Sequence, residues 1–376
     1  MSFPRPFKSS GKISLSTANS ELLGTGNFSD VYRLHIEVLG QDCAVKIFSK
    51  NTLKRLGKEN DVIMEKHALS RLNHRNIVKL LVTTSTSEQV FIVTEVCGGG
   101  ELWSSCRRCG ETESRAKYYF LQILDGVEYM HRMGLIHRDL KAENIFISAD
   151  RSVVKIGDFG SSRDLFNPTI RGSGTSSHGL SSRREKRVME HYVGTPNFLA
   201  PEALDNQEND EISDIWSLGC LFFQVLVGIP PFSAGSEYLV YLRMKANDLI
   251  FPPVGISEVA KDLVRGILKR DRAARPSLGG IRSHSFFANA PSRFPPLGPA
   301  EMTLRRLVQD SNEAMDDTIL AELGENKEIR DRLQMSITVR EWELKSQPGS
   351  GTQMLDHLGL PDSVFGHNSS DSSSIE

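Results

Sequence analysis

The chain contains 376 residues, 39% of them hydrophobic and 24% charged, and its formal net charge at pH 7 is −2. This composition is typical of a globular protein, and the nearly balanced charge gives no basic field, so we expect no nucleic-acid partner. The five cysteines are scattered along the chain, which indicates a reducing compartment rather than a disulfide framework. No apolar run follows Met1, so we predict no secretory signal and expect a cytoplasmic location.

Strand patterns dominate the first part of the chain. Residues 1–18 are rich in Ser, Lys and Pro and predict a flexible N-terminus. Residues 19–96 predict a small β-rich lobe with one main helix over residues 51–72, where apolar side chains recur at helical spacing. The strands predicted in this lobe cover residues 31–38, 43–48, 77–81 and 90–96.

Residues 97–288 change to helical periodicity and predict a larger lobe. Several of its predicted helices begin at a serine that can cap the first turn. They cover residues 112–133, 213–227, 236–247, 257–269 and 277–284. The most apolar run, residues 218–232, is too short to cross a bilayer, so we predict a buried helix and no transmembrane segment. The fold class that follows is α+β, with two lobes and a cleft between them.

Three segments depart from this pattern. Residues 167–187 are rich in Ser, Gly, Arg and Thr without an apolar period, and they predict a disordered insert. Residues 289–345 predict a helical C-terminal extension that packs on the larger lobe or on a partner. Residues 346–376 are polar and predict a disordered tail.

The strongest chemical signal is residues 137–144, which read H-R-D-L-K-A-E-N. Transfer of a phosphoryl group needs a residue that accepts or orients the proton of the attacking hydroxyl, and metal ions that neutralise the phosphates. Asp139 suits the first task, and Asn144 suits part of the second. A chance match in a polar loop is the alternative, but further motifs lie in the required order on both sides.

The other motifs are suited to binding phosphates and magnesium. Residues 24–31 read G-T-G-N-F-S-D-V and lie between two predicted strands, where glycines let backbone amides approach a ligand closely. Lys46 lies in the next strand and Glu65 in the following helix, with Glu59 as the competing candidate. Asp158 begins a D-F-G motif directly after a predicted strand and offers the carboxylate oxygens that magnesium prefers.

Together these motifs resemble, over about residues 20–288, those of eukaryotic protein kinases. The resemblance implies a bilobal kinase fold that uses ATP and Mg²⁺ to phosphorylate proteins. The implied catalytic residues are Asp139, Lys141, Lys46 and Glu65. The implied ATP-binding residues are Gly24, Thr25, Gly26, Asn27, Phe28, Ser29, Val31, Ala44, Lys46, Thr94, Glu95, Cys97, Glu101, Asn144 and Asp158. Magnesium is assigned to Asn144 and Asp158, and structural roles to Glu202, Arg275, Asp214 and Thr195.

Among kinases the chain is similar to the AGC group and, within it, to the phosphoinositide-dependent protein kinases. The stretch 230–239, P-P-F-S-A-G-S-E-Y-L, and the closing S-H-S-F-F at residues 283–287 carry this similarity. Lys141 and Thr195 resemble residues of serine/threonine rather than tyrosine kinases. The resemblance implies a signalling kinase whose protein substrates include other AGC kinases.

The chain also departs from that family. Residues 289–376 lack the strand pattern of a pleckstrin-homology domain, so we expect no direct phosphoinositide binding. An F-x-x-F motif is absent beyond Pro291, and Lys54 replaces an apolar residue where the family docks this motif of its substrates. His191 stands at the usual phosphorylation site, for which Glu190 or a Ser or Thr of the insert is a candidate substitute. Gln224 replaces the glutamate of arginine-directed relatives.

Two alternative interpretations remain at this point. The first is that the chain is a pseudokinase, which binds partners without turnover. Such proteins usually lack one of the catalytic residues, and all of these residues are present here. The C-terminal helices could also serve as a scaffold. The C-x-x-C pair of Cys106 and Cys109 stands alone and is a weak metal signal.

Overall fold

A computed structural model describes residues 20–26, 28–167, 169, 196–204, 210–310 and 327–345. The predicted site residues Asn27 and Thr195 lie outside these ranges, as do Glu190 and His191. The predicted flexible segments 1–18 and 346–376 and nearly all of the insert 167–187 also lie outside them.

The smaller lobe is built on a five-stranded antiparallel sheet with the strand order β1-β2-β3-β5-β4. Its strands are β1 (Glu21–Thr25), β2 (Ser29–Ile36), β3 (Gln41–Ser49), β4 (Leu80–Ser85) and β5 (Gln89–Glu95). Cys43 and Val45 of β3 are buried in an apolar cluster on one face of the sheet. Because neighbouring residues of a strand point to opposite faces, Lys46 is directed to the other face, toward the cleft.

The predicted single helix over residues 51–72 is wrong, because the chain forms two helices there. Helix α1 (Lys50–Leu56) ends at Gly57, whose φ of 63° is left-handed and stops the helix, and α2 (Glu59–Arg71) follows. Apolar spacing continues through this break, so periodicity alone did not reveal it. Helix α2 buries Met64 and Ala68 in the main core and carries Glu65.

Two strand predictions also need correction. The strand predicted over residues 31–38 ends at Ile36, where a 3-10 turn over Glu37–Leu39 leads to Gly40 in the left-handed region. The strand predicted over residues 77–81 begins only at Leu80. Ile77 instead makes an isolated parallel bridge to Ile156 of the larger lobe.

The larger lobe is helical and contains the main core. Its helices are α3 (Leu102–Cys106), α4 (Glu113–Arg132), α5 (Pro201–Leu204), α6 (Glu211–Val227), α7 (Glu237–Ala246), α8 (Glu258–Ile267) and α9 (Leu278–Arg282). The side chains of Ser236, Ser257 and Ser277 cap α7, α8 and α9, as the sequence predicts. Helix α6 is capped by Asp210 and begins two residues before the predicted Ser213.

Short strands at the top of this lobe carry the cleft residues. They are β6 (Gly100–Glu101), β7 (Leu135–Ile136), β8 (Ile145–Ile147), β9 (Val154–Ile156) and β10 (Arg163–Asp164). One small sheet has the order β6-β8-β9, and the other pairs β10 with β7. The segment from β7 to β8 contains Asp139 and Asn144, and Asp158 follows β9. The two sheets therefore place the polar motifs side by side at the cleft.

The C-terminal extension packs on the larger lobe. Helix α10 (Pro299–Asp310) and helix α11 (Lys327–Lys345) bury Leu304, Val308, Ile329 and Leu333 around Cys109. Met335 and Val339 of α11 join the main core. Of the two predicted settings for this extension, the structure shows packing on the larger lobe.

Buried ion pairs reinforce this packing, and we name their members the extension cluster. It comprises Glu111, Arg115, Glu301, Arg305 and Arg332, all less than 9% exposed. Within the described residues, no helix is long and apolar enough to span a membrane.

Candidate active site

Lys46 is held at the cleft by two carboxylates. Its Nζ lies 2.9 and 3.0 Å from the two oxygens of Glu65 and 3.2 Å from Oδ1 of Asp158. Burial alone would lower the pKa of Lys46, but Asp158 and Glu65 outweigh it and raise the pKa above its ordinary value. The lysine is therefore a fixed cation that links Glu65 of α2 to Asp158, two residues after the end of β9. Glu59, the competing candidate, begins α2 six residues before Glu65, about one and two-thirds turns earlier.

Asp158 lies at a special point of the backbone. Its φ of 58° is in the left-handed region, which is uncommon for a residue with a side chain. The Lys46 ammonium holds the pKa of Asp158 below its ordinary value, so the carboxylate stays charged. Phe159 is fully buried in the same core cluster as Met64 and Ala68 of α2, and its ring lies 5.0 Å from that of His137. The aromatic side chain thus fixes the segment from which Asp158 reaches into the cleft.

The loop between β7 and β8 brings three polar side chains together. Nζ of Lys141 lies 3.0 and 2.9 Å from the two carboxylate oxygens of Asp139. The Asn144 amide donates to the Asp139 carbonyl at 2.7 Å and to its Oδ2 at 2.9 Å. Burial alone would lower the pKa of Lys141, but Asp139 raises it, so this lysine also stays charged. Asp139 is one-third exposed and open to a substrate.

Asp214 of helix α6 supports this loop from below. Its carboxylate accepts the backbone N–H groups of His137 and Arg138 at 2.9 and 2.8 Å and contacts Nε2 of His131 at 2.9 Å. Arg138 has a φ of 67°, so its backbone needs this external support. Burial would raise the pKa of Asp214, but its bond to His131 keeps the pKa below the ordinary value. A charged, buried carboxylate therefore fixes the backbone next to Asp139.

The glycine-rich turn closes the cleft from the sheet side. Gly24 and Thr25 end β1, and Gly26 donates its N–H to the Ser29 carbonyl at 2.7 Å. A Cβ at Gly24 would meet no atom within 4 Å, so the backbone there is open to a ligand. The Phe28 ring lies 6.3 Å from that of Phe48 and packs against the core.

Strand register places the remaining sheet residues over the cleft. Val31 of β2 lies opposite Lys46 of β3, and Ala44 of β3 lies opposite Thr94 of β5. Ala44 is therefore two residues from Lys46 and on the same face of the strand. Small and apolar side chains at these positions suit a planar aromatic base.

The link between the lobes begins at Glu95. Its side chain is engaged elsewhere, since Oε1 accepts the Lys79 N–H at 2.8 Å and pairs with Lys155 at 2.9 Å. The Glu95 N–H also donates to the Lys79 carbonyl at 3.1 Å, so the carboxylate and the N–H of Glu95 are both engaged within the protein. Burial raises the pKa of the Cys97 thiol to about 12, so this thiol stays protonated.

Glu101 and Glu143 add negative charge near the cleft. Glu101 precedes α3, and Glu143 lies in the turn that ends at Asn144. Burial raises the pKa of Glu101, and the neighbouring Glu143 raises it further. Burial likewise raises the pKa of Glu143. A cationic group bound beside Glu101 and Glu143 would stabilise their charged forms.

The donor set fits ATP with magnesium. Because the Asn144 amide nitrogen is used for Asp139, its oxygen is the atom a cation would take, and Asp158 adds carboxylate oxygens. In the described residues no group of three or more His, Cys, Asp and Glu could hold a metal alone. Two oxygen ligands suit Mg²⁺, which commonly keeps water and phosphate oxygens in its shell. The buried Cys106 and Cys109 thiols have raised pKa values, which disfavours the thiolates that bind metals.

Two of the structural residues predicted from the sequence, Glu202 and Arg275, form an ion pair in the larger lobe. Arg275 donates to both oxygens of Glu202 at 2.7 and 2.8 Å in a buried two-pronged ion pair. The Arg275 guanidinium also lies 5.0 Å from the Trp216 ring. Glu202 lies in α5, so this pair fixes α5 to the rest of the larger lobe.

Contacts that the sequence did not reveal surround this site. Gln224 of α6 accepts the Ala142 N–H at 3.1 Å and so supports the catalytic loop directly. Asp164 contacts His67 and Arg71 of α2. No local motif marks these contacts, because their partners are many residues apart.

Comparisons with known proteins agree with this geometry. Residues 17–287 match the protein kinase domain family. The chain is 33% identical over 273 residues to 3-phosphoinositide-dependent protein kinase 1 of Arabidopsis thaliana, covering 71% of this chain and 54% of the relative. It is 33% identical over 319 residues to the serine/threonine-protein kinase ksg1 of Schizosaccharomyces pombe, covering 81% and 52%. An Aurora kinase of Candida glabrata is 36% identical over 269 residues, with 70% and 68% covered.

The chain spans about half the length of the first two of these relatives. The family match itself covers most of the chain and contains each of the motifs described above. The chain therefore belongs to the protein kinase family, and its sequence is similar to phosphoinositide-dependent protein kinases.

Proposed function

We propose that this chain is a serine/threonine protein kinase that transfers the γ-phosphoryl group of ATP, with Mg²⁺, to protein hydroxyls. The observation that carries the proposal is the position of the Lys46 ammonium, which contacts both Glu65 and Asp158. Kinases need the lysine–glutamate pair and the metal-binding aspartate in place at the same time. The contacts of Lys46 with both carboxylates support this proposal.

Each polar group then has a chemical task. Lys46, fixed by Glu65, presents positive charge to the phosphates, and Asn144 and Asp158 offer oxygens to magnesium. When bound, Mg²⁺ neutralises charge on the phosphate oxygens. Asp139 accepts or orients the proton of the attacking hydroxyl, and Lys141 beside it presents positive charge to the group being transferred.

We further propose that the protein substrates include the activation segments of other AGC kinases. The similarity to proteins named 3-phosphoinositide-dependent protein kinase 1 and ksg1 supports this assignment. The carboxylates of Glu101 and Glu143 at the cleft favour some basic character in the substrate. Gln224 supplies no third carboxylate, which argues against a strong requirement for arginine just before the phosphorylated residue.

The test is transfer of radiolabelled γ-phosphate from ATP with Mg²⁺ to a peptide panel. The panel contains activation-segment peptides of AGC kinases and generic Ser, Thr and Tyr peptides, and Lys46→Met is the control. Labelling of Ser and Thr peptides that Lys46→Met loses is the expected result, and preference for the AGC peptides supports the substrate class. ATP binding without any transfer would instead indicate a pseudokinase.

A further inference from the structure

Asp164 is a buried carboxylate in β10, near the start of the activation segment, which is the part of the chain between Asp158 and Glu202. Its side chain is fully buried, six residues after Asp158. One oxygen, Oδ2, contacts Nε2 of His67 at 2.7 Å and accepts a hydrogen bond from the Arg71 guanidinium. The other, Oδ1, accepts the backbone N–H groups of Phe166 and Asn167 at 2.9 and 3.1 Å. Both carboxylate oxygens are thus fully engaged.

The two side-chain partners lie on one face of helix α2. His67 and Arg71 are four residues apart and so are neighbours on the helix surface. Glu65 precedes His67 by two residues, which places it about 200° around the helix axis. Holding the face with His67 and Arg71 therefore fixes the rotation at which Glu65 meets Lys46.

The same carboxylate is tied to the catalytic loop. Asp164 pairs with Leu135 in the two-stranded sheet of β10 and β7, and β7 leads directly into His137. Arg71 also donates to the Met133 carbonyl at 2.8 Å, just before β7. Leu165 donates to the Gly134 carbonyl at 2.7 Å. Asp164 therefore joins α2, the segment after Asp158 and the approach to Asp139.

The chemistry of this contact resembles that of a bound phosphate. A buried anion is costly unless charged and polar partners stabilise it. Here the Arg71 guanidinium supplies the positive charge, and the His67 ring contacts the same carboxylate oxygen. Burial would raise the pKa of Asp164, but its hydrogen bonds to His67 and Arg71 keep the pKa below its ordinary value. Unlike a phosphate, this charge is encoded in the chain.

We propose that Asp164 is a positioning residue for phosphoryl transfer, a permanent anion that holds α2 so that Glu65 keeps Lys46 in place. This inference rests on the proposed kinase function. Activation-segment phosphorylation controls the position of the corresponding helix in many kinases. Here a carboxylate performs that task at the beginning of the segment, where no modification is needed.

The test measures ATP affinity and the mobility of α2, neither of which requires turnover. Asp164→Asn keeps the shape of the side chain and removes its charge. We expect it to weaken binding of a non-hydrolysable ATP analogue with Mg²⁺ about tenfold, the size of one lost charged hydrogen bond. Amide hydrogen exchange across Glu59–Arg71 should become faster, while wild-type protein treated with phosphatase should keep its affinity within about twofold.

Asp42→Asn is the matched control. Asp42 is also held by one histidine and one arginine, with His35 Nδ1 at 2.9 Å and Arg33 Nε at 3.0 Å, but it lies near the start of β3 and its side chain is 40% exposed. Asp42→Asn should leave both the affinity for the ATP analogue and the amide exchange of α2 unchanged. If Asp164→Asn does not fold, Arg71→Lys replaces it, because lysine keeps the charge and loses the second hydrogen bond.

A double-mutant cycle separates positioning from general support. In a Glu65→Gln background the link to Lys46 is already weakened, so adding Asp164→Asn should change affinity less than about twofold. Unchanged affinity and exchange in Asp164→Asn, a full additive loss in the cycle, or loss of affinity after phosphatase treatment would each overturn the proposal. Absence of phosphoryl transfer by wild-type protein would refute the proposed function alone, since these measurements remain valid.

Discussion

Asp139→Asn is expected to lower kcat for phosphoryl transfer by about 100- to 10,000-fold, the range typical of a lost general base. The KM for ATP should change less than about threefold, since the substitution removes an interaction with the hydroxyl rather than with the nucleotide. In the structure Asp139 contacts Lys141 and Asn144, whereas Lys46 contacts Glu65 and Asp158. The carboxylates that hold Lys46 do not include Asp139, so the substitution leaves this phosphate-facing lysine in place.

The measurement is single-turnover transfer to a serine peptide at saturating ATP, combined with the affinity of an ATP analogue. Asp262→Asn is a suitable control, because it makes the same change of charge at a residue outside the cleft motifs, whose side chain contacts His284 at 3.2 Å and is 76% exposed. A rate for Asp139→Asn within threefold of wild type would contradict the role of Asp139. If Asp139→Asn lowered the affinity for the ATP analogue by as large a factor as the transfer rate, Asp139 would act through the nucleotide site instead.

The cleft chemistry was largely predictable because its residues lie in short, ordered motifs. The pairing of Lys46 with Glu65, the support of the catalytic loop by Asp214 and the ion pair of Glu202 with Arg275 are all present in the structure. Each motif fixes several neighbouring positions, so a small number of residues identifies a whole strand–loop–strand unit. Their catalytic and ligand-binding roles stay predictions until the experiments above are done.

Element boundaries were less predictable, since they depend on single residues. Gly57 ends α1 although apolar spacing continues across it. Residues 37–39 form a 3-10 turn that leads to Gly40, so β2 ends before them. Ile77 is apolar and β-branched, yet its buried position arises from a bridge to Ile156 on the other lobe. Local patterns contain no information about such tertiary partners.

Charged contacts between distant residues outside these motifs were not predictable. Asp164 and His67 are 97 residues apart, and Arg305 and Glu111 are 194 residues apart. Charged residues are usually exposed, and no local pattern marks Asp164, Arg305 and Glu111 as buried. Burial reverses this, and it becomes known only when the packing of the helices is known.

The extension cluster makes α10 and α11 an integral part of the larger lobe. Glu301 accepts Arg115 Nη1 at 2.8 Å and Arg332 Nη1 at 2.7 Å, while Glu111 pairs with Arg115 at 2.7 Å and with Arg305 at 2.5 Å. Burial would raise the pKa of Glu111, but Arg305 and Arg115 keep it below its ordinary value. Arg332 also donates to the Gly110 carbonyl at 2.6 Å.

Glu301→Ala is therefore expected to destabilise the folded protein by about 3–5 kcal/mol, the usual cost of removing one partner from a buried ion pair. Within the extension cluster it would leave three arginines facing the single carboxylate of Glu111. The free energy of unfolding, measured by urea titration, tests this prediction. Such a loss would show that the extension is required for the stability of the larger lobe.

Glu258→Ala is the matched control for this prediction. Glu258 also lies in the first turn of a helix and pairs with two cations, Lys261 at 2.8 Å and Arg265 at 3.7 Å, but its side chain is 76% exposed. Water screens such surface pairs, so its loss should cost less than about 1 kcal/mol. The difference between the two variants isolates the effect of burial, because helix position and charge change are the same. Equal losses would mean that water reaches the extension cluster and that α10 and α11 are held by their apolar contacts around Cys109 alone.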